Sequence, residues 1–352
     1  MANETTSKDE KEQLKNSPVP LTKFFSTGST LLNLALGGGW ACKRVFNLVG
    51  DRSSGKTLQA FEAFANFKRT FGPNCDMRYG EAESRFERDF AESIGFPPEV
   101  ALPDEPLETV EDFQFDFTEF INGDPKKKEK DRKVDDTRPK LYILDSLDSL
   151  SDKDELERYG EIKKRGDEEG GSYGTAKAKK MSALFRVLAR DITRANCTLG
   201  IISQLRDAIG VSFGEQSTRS GGRALNFYAS QIVWLREEGK ITRQSLGEER
   251  PVGVDVLARV KKCSVAMPFR EASFRIIFGY GIDDEISMVE WLQSSGAYPK
   301  ETAKALKDQI ETAREKQDYV LLDELLANIK QDAITRWTKI EQNLAPSIRK
   351  YR

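Results

Sequence analysis

Gly50-Asp-Arg-Ser-Ser-Gly55-Lys56-Thr57 combines residue types at a spacing suited to holding a chain of phosphates. The glycines bracket Asp51, Arg52, Ser53 and Ser54 and fit the G-x-x-x-x-G-K-[ST] pattern without a mismatch. In such a loop consecutive backbone N–H groups and the start of the next helix, here Thr57 and Leu58, cradle a triphosphate. Lys56 supplies a point charge for the β- and γ-phosphates, and Thr57 a hydroxyl for Mg²⁺. Asp145, which ends the apolar run Leu141-Tyr-Ile-Leu144, reads as a carboxylate behind that Mg²⁺; its alternative is an ordinary helix N-cap. Glu83 is the candidate for polarising an attacking water, with Glu81 as the spare. Gln204 could touch the γ-phosphate and report it to the segment that follows. Histidine is absent, so any general base must be a carboxylate, a lysine or water.

These groups need a sheet to present them on one edge. Arg44–Val49 reads as a buried strand running into the loop, and Thr57–Arg69 as a helix with Leu58, Phe61, Phe64 and Ala65 on one face. A weak strand is expected over Met77–Gly80, a helix over Arg85–Ile94, and a strand over Leu141–Leu144. A long helix follows over Ala176–Ala195, with Met181, Leu184, Phe185, Leu188 and Ile192 on one face, then a strand over Leu199–Ser203. This alternation argues for a parallel α/β sheet, whose carboxyl edge would collect Glu81, Glu83, Asp145 and Gln204 around the loop. The later strands Ile232–Leu235, Val252–Val260 and Ala272–Phe278 lack long helices between them and suggest an antiparallel extension.

Elsewhere the pattern sets boundaries. Residues 1–20 read as disordered, 21–284 as the core, and 285–352 as a small helical domain with a core stripe at Leu321, Leu322, Leu325, Leu326 and Ile329. Residues 97–139 are loop-rich apart from an amphipathic stretch, Phe113–Ile121. The run Lys126–Lys133 reads as a solvated loop, with nucleic-acid contact as the alternative, and Gly210–Gly222 reads as a mobile loop. Arg349, Lys350 and Arg352 leave a basic end that would meet duplex DNA or nothing. Charged residues make up 32% of 352, yet 55 Lys and Arg against 57 Asp and Glu leave a net charge of −2, so no global basic field announces a nucleic-acid partner. A local basic surface remains compatible with that sum. No apolar run approaches the roughly 18 residues of a membrane span. The N-terminus has no signal-peptide core, and the scattered cysteines suit reduced thiols in a cytoplasm.

Taken together, the motifs resemble a RecA-type strand-exchange recombinase, the phage (UvsX-like) branch included. The matching segments are Ser26–Leu36, the phosphate loop, Gly80-Glu-Ala-Glu83, Leu141–Leu147, Ile201-Ile-Ser-Gln-Leu-Arg206, Gly210–Gly214, Gly221–Ser230 and Val265–Phe274, in the family's order over roughly residues 25–282. The resemblance implies a RecA-like P-loop NTPase core with a central, mainly parallel sheet and a small C-terminal helical domain. It implies a DNA-dependent ATPase, using ATP and Mg²⁺, that coats single-stranded DNA as a homo-oligomeric helical filament. Such a filament pairs with homologous duplex DNA and exchanges strands in recombination and repair. The implied setting is a bacterial cytoplasm or a phage-infected cell, without a membrane partner and with room for loading or mediator proteins.

By position, Glu83, Lys56 and Gln204 take the catalytic roles, and Phe90 and Phe278 the places of aromatic residues near adenine. The second DNA loop would span 205–222, with Arg206, Phe213, Gly221, Gly222 and Arg223 as contacts. The first would lie between about 160 and 179, with Tyr173, Gly174 and Lys179 facing DNA and Lys177 and Lys180 nearby. Lys262 matches a cation that reaches a neighbouring subunit's γ-phosphate, but Ser264 stands where the family has a second one; Arg259 or Lys261 would have to substitute. Arg52 occupies a usual glutamate position, the insert 122–139 has no counterpart, and the chain before Ser26 fits only a shortened polymerisation element. Two rival readings follow. One is an ATP-switched mediator or assembly platform with weak turnover. The other is a ring-forming RecA-fold motor, for which no N-terminal helicase domain is present.

Overall fold

Phe24–Phe25 (β1) pairs antiparallel with Trp40–Ala41 (β2), and Thr30–Ala35 (α1) lies between them. The chain then enters the principal sheet at Val45–Gly50 (β3). The computed structural model describes residues 22–123, 137–157, 174–207, 217–219 and 222–347. All of β3 is buried, as befits a central strand covered on both faces. Its one polar side chain is satisfied: Asn47 Nδ2 donates to the carbonyl of Ile201 (2.8 Å) and to Ser203 Oγ (3.0 Å).

Lys56–Phe71 (α2) follows the phosphate loop, then Asp76–Glu81 (β4), Arg88–Ser93 (α3), Val110–Asn122 (α4) and Lys140–Asp145 (β5). Gly174–Arg194 (α5), Cys197–Asp207 (β6), Ser217–Arg219 (β7) and Gly222–Tyr228 (α6) lead to the long strands Gln231–Ser245 (β8) and Glu248–Cys263 (β9). Glu271–Ile277 (β10) and Gly281–Asp283 (β11) precede Asp284–Ser294 (α7), Lys300–Glu315 (α8) and Tyr319–Leu344 (α9). The sheet order is β11-β10-β9-β8-β3-β6-β5-β4, with β7 on β6. From β4 to β8 the neighbours are parallel, and from β8 to β11 antiparallel. The antiparallel extension expected from the later strands is therefore present, but the parallel set runs one strand further, into β8. Because β3 lies between β6 and β8 while the chain leaves it for β4 at the far edge, the carboxyl end of β3 opens a crevice.

Helices cover both faces. On one, Phe61, Phe64 and Phe67 of α2 join Phe25, Met77, Tyr79 and Phe96 in one core. On the other, Phe113 and Phe117 of α4 pack with Met181, Leu184, Phe185, Leu188 and Ile192 of α5, the whole of that expected face. The α4 start is fixed by a capping box, Thr109 with Asp112. Met288 and Leu292 of α7, Ile310 of α8 and Ile329 of α9 are continuous with the first core, so the helices after Asp283 pack directly onto the sheet's helical layer. In the α9 stripe Leu322, Leu325 and Leu326 pack against that core, whereas Leu321 is exposed.

Some elements differ from expectation. The helix expected over 85–94 is only α3, because Glu81 accepts backbone N–H groups of Glu83 and Arg85 and holds that stretch as a turn. The strands expected at 232–235 and 252–260 extend into a ribbon closed by Leu246 and Gly247, whose φ values of 52° and 84° suit a tight two-residue turn. Its outer half is charged, so no apolar alternation marked it. Within 210–222, Ser217–Arg219 is strand, paired with Leu205–Asp207; the rest, apart from Gly222, lies outside the described residues. So do residues 1–20 and most of 122–139. All four cysteines are unpaired thiols. Among the described residues no helix is long and apolar enough to cross a membrane.

Candidate nucleotide site and the segment beside it

The sheet register sets the site. Gly50 pairs with Gln204 on one side and Leu235 on the other, and Glu81 pairs with Asp145, so five strands end their parallel run around one crevice. From Gly50 the backbone turns through Ser53 (φ 61°) and Gly55 (φ 83°), and a left-handed residue among right-handed ones points successive N–H groups inward. A Cβ on Gly50 would strike the carbonyl of Leu235, and one on Gly55 the Cδ1 of Ile276. No side chain caps α2, so its N-terminal donors face the loop. These features fit a phosphate chain. The Lys56 ammonium is buried and donates to the Asp51 carbonyl at 2.5 Å. Burial holds its pKa below the usual lysine value, against the opposing pull of Asp145 and Glu83.

Thr57 Oγ1 and the Tyr79 hydroxyl both donate to Asp145 Oδ2, each at 2.8 Å. Burial pushes the Asp145 carboxyl up to about 6, with those two donors pulling the other way. Among the described residues no group of three or more carboxylates, cysteines or histidines gathers to cage a metal. The donor set suits an ion carried in with phosphates, touched by Thr57 and backed by Asp145.

Glu83 Oε1 accepts from Gln204 Nε2 (2.7 Å) and Ser146 Oγ (2.8 Å). The backbone N–H of Gln204 donates to Asp148 Oδ2 at 2.7 Å, so Gln204 is held between two acids from other strand ends. Glu81 Oε1 is committed to the N–H groups of Glu83 (2.8 Å) and Arg85 (3.2 Å). Through that oxygen it positions Glu83. A cleft of about 750 Å³ runs from the loop, including Ser53, Ser54 and Leu58, to Phe90 and Phe278. These two rings are 60% and 58% exposed, so they are available to a planar group. Lys240 and Pro251 of the ribbon also line it; they escaped the sequence reading because the ribbon itself did.

The RecA N-terminal domain family matches residues 121–283. The chain is 32% identical over 265 residues to the "DNA repair protein recA homolog 1, chloroplastic" of Arabidopsis thaliana, covering 74% of this chain and 53% of that one. It is 30% identical over 294 residues to the "Protein RecA" of a Picosynechococcus species, covering 83% and 74%. Against the "Protein RecA" of Acinetobacter baumannii it is 31% identical over 279 residues, covering 79% and 71%. The chain belongs to the RecA family. It spans about half the length of the chloroplast relative and over two thirds of the two bacterial ones.

In this RecA-family chain Lys262, Arg259 and Lys261, the cations expected at a subunit interface, are all engaged within the chain. Lys262 Nζ donates to the last carbonyls of α6, Asn226 (2.7 Å) and Phe227 (3.0 Å). Arg259 pairs with Glu271 at 2.8 Å, and the Lys261 ammonium lies 4.5 Å from the Trp234 ring centroid. Ser264 is exposed, and its N–H donates to the Ser230 carbonyl. Of the expected DNA contacts, Arg206 lies on β6 directly after Gln204 and Leu205, and Gly222 and Arg223 open α6. Tyr173, Phe213 and Gly221 lie outside the described residues. Gly174 starts α5, and Lys177 and Lys179 belong to that helix rather than to a loop reaching 179, because the Ala- and Lys-rich sequence favours helix. Lys179 is exposed, whereas Lys180 is tied to Glu111 (2.8 Å), Asp154 (3.0 Å) and Asp152 (3.5 Å).

Proposed function

We propose that this RecA-family chain is a DNA-dependent ATPase that assembles on single-stranded DNA when ATP is bound and promotes homologous pairing and strand exchange. The observation that carries the reading is the bond from Gln204 to Glu83, because Gln204 runs straight into the β6–β7 hairpin that begins the expected second DNA segment. Bound Mg²⁺, touched by Thr57 with Asp145 behind it, would neutralise phosphate charge. Lys56 and the N–H groups of the loop hold the β- and γ-phosphates, and Phe90 and Phe278 bracket the base. A γ-phosphate competes for the Gln204 amide. When that amide turns to it, Glu83 is released to orient and polarise a water, and the strand carrying Leu205 and Arg206 moves with Gln204. ATP is thereby both substrate and signal.

Binding to a labelled single-stranded oligonucleotide at low salt should appear with ATP and Mg²⁺, vanish with ADP, and weaken steeply as salt rises, because phosphate contacts dominate. Binding indifferent to nucleotide would sink the switch. A second reading, the ATP-switched platform with weak turnover, draws on the engagement of Lys262, Arg259 and Lys261 within the chain and on the hydroxyl at Ser264. Phosphate release with and without single-stranded DNA, set beside joint-molecule formation, separates the two.

A further inference from the structure

The turn that carries Phe278 is held from both sides, and its outer anchor comes from the C-terminal helices. Residues 278–280 join β10 to β11, closed by the Ile277–Gly281 pair and by the Tyr280 N–H donating to Ile277 O at 3.1 Å. On the inner side the Phe278 N–H donates to Val252 O at 2.9 Å. Glu62 of α2 accepts the N–H of Ile282 at 3.1 Å, which ties the end of this hairpin to the helix that starts in the phosphate loop. On the outer side the Arg314 guanidinium of α8 lies 5.3 Å from the Tyr280 ring centroid. Its two terminal nitrogens grip Asp283 at 2.8 and 3.1 Å, and Nη2 also donates to Glu285 at 3.1 Å. Asp283 is buried, ends β11 and caps α7. One guanidinium therefore fixes the strand end by a fork and the turn by its face, a pair of functions that a lysine ammonium would not combine.

We propose that Arg314 is a positioning residue for the base of the bound nucleotide: through Tyr280 and Asp283 it holds the turn that presents Phe278 to the cleft. This rests on the reading of the cleft as the ATP site. It makes the C-terminal helices part of the nucleotide site although none of them lines it. The expected signature is selective, because the turn serves the base end and not the phosphate end. Removing the Arg314–Tyr280 contact should weaken ATP binding about 3- to 10-fold, the range of a partly desolvated cation–π pair. Inorganic tripolyphosphate, which has no base, should be unaffected.

The test is calorimetric titration of the full chain with Mg·ATP and with Mg·tripolyphosphate, in wild type, Arg314→Met, Tyr280→Leu and the double variant, with a melting curve for each. Expected are weaker ATP binding in both single variants, unchanged tripolyphosphate binding, a raised KM for ATP at unchanged kcat, and a double variant no weaker than the worse single one, since both remove one contact. Arg314→Met leaves Asp283 and Glu285 without their guanidinium; where its melting curve shows loss of the fold, Tyr280→Leu, at a half-exposed residue, decides alone. ATP affinity equal to wild type, or equal losses for both ligands, overturns the proposal. Wild type that binds tripolyphosphate but not ATP overturns the base site itself, and wild type that binds neither overturns the nucleotide reading on which both rest.

Discussion

Glu83 Oε1 is shared between Gln204 and Ser146, and in the proposed reading the γ-phosphate's draw on the Gln204 amide frees that oxygen for a water. Replacing Glu83 with Gln keeps an oxygen that accepts from Gln204 and Ser146, and so preserves the geometry while removing the base. Turnover should fall about 10²- to 10⁴-fold, the usual worth of a positioned base, while ATP-dependent binding to single-stranded DNA persists. Phosphate-release assays beside oligonucleotide binding check this; an active Glu83→Gln would assign the water to another group. At this scale the sequence was legible where a strand ends. Asp145 and Gln204 each end an apolar run and Glu83 follows a weaker expected strand, so their convergence on one crevice could be anticipated. Tyr79, Ser146 and Asp148 could not, because their partners come from other strands and only the register brings them together. The commitment of Glu81 to two backbone donors likewise depends on how the turn closes.

The elements show the same division. α2 and α5 were legible from their apolar faces, since helices that cover a sheet must bury one side. The β8–β9 ribbon was not, because its outer half is held by backbone pairing and polar cross-strand contacts such as Thr242 Oγ1 donating to Glu249 (2.6 Å). The start of α7 offers a stability test. Asp284 is half-buried and accepts from the Thr30 N–H and hydroxyl, both at 2.7 Å, which joins α7 to α1. Burial, outweighing those donors, raises its carboxyl from 3.8 to about 6. Below the unfolded value both states hold the proton. Between about 4 and 6 only the folded state does, so stability falls as pH rises through that window, by about 2–3 kcal/mol. Asp284→Asn can keep one acceptor for the N–H and turn its amide toward the Thr30 hydroxyl, with no charge to bury. Urea unfolding across pH 4 to 7 should show a flatter slope in that window and greater stability at pH 7 than wild type; parallel slopes would contradict the assignment.

For the whole molecule, the question is how one subunit's site meets the next. Within a single chain Lys262 holds the end of α6, the helix that follows the expected DNA segment. If a neighbour's γ-phosphate draws Lys262 across an interface, α6 loses that tie as the filament forms, and nucleotide state and DNA grip become one property of the assembly. With Ser264 standing where the resemblance implies a second cation, Lys262 would have to do this alone. The sequence exposed that departure, but not the engagement of Arg259 and Lys261, which depends on the cross-strand positions of Glu271 and Trp234. Electron microscopy of the full chain with single-stranded DNA tests the account most directly, with a non-hydrolysable ATP analogue and with ADP. The expected result is long open helical filaments with the analogue and DNA, and none with ADP. Closed rings, or single particles on DNA whatever the nucleotide, would contradict it.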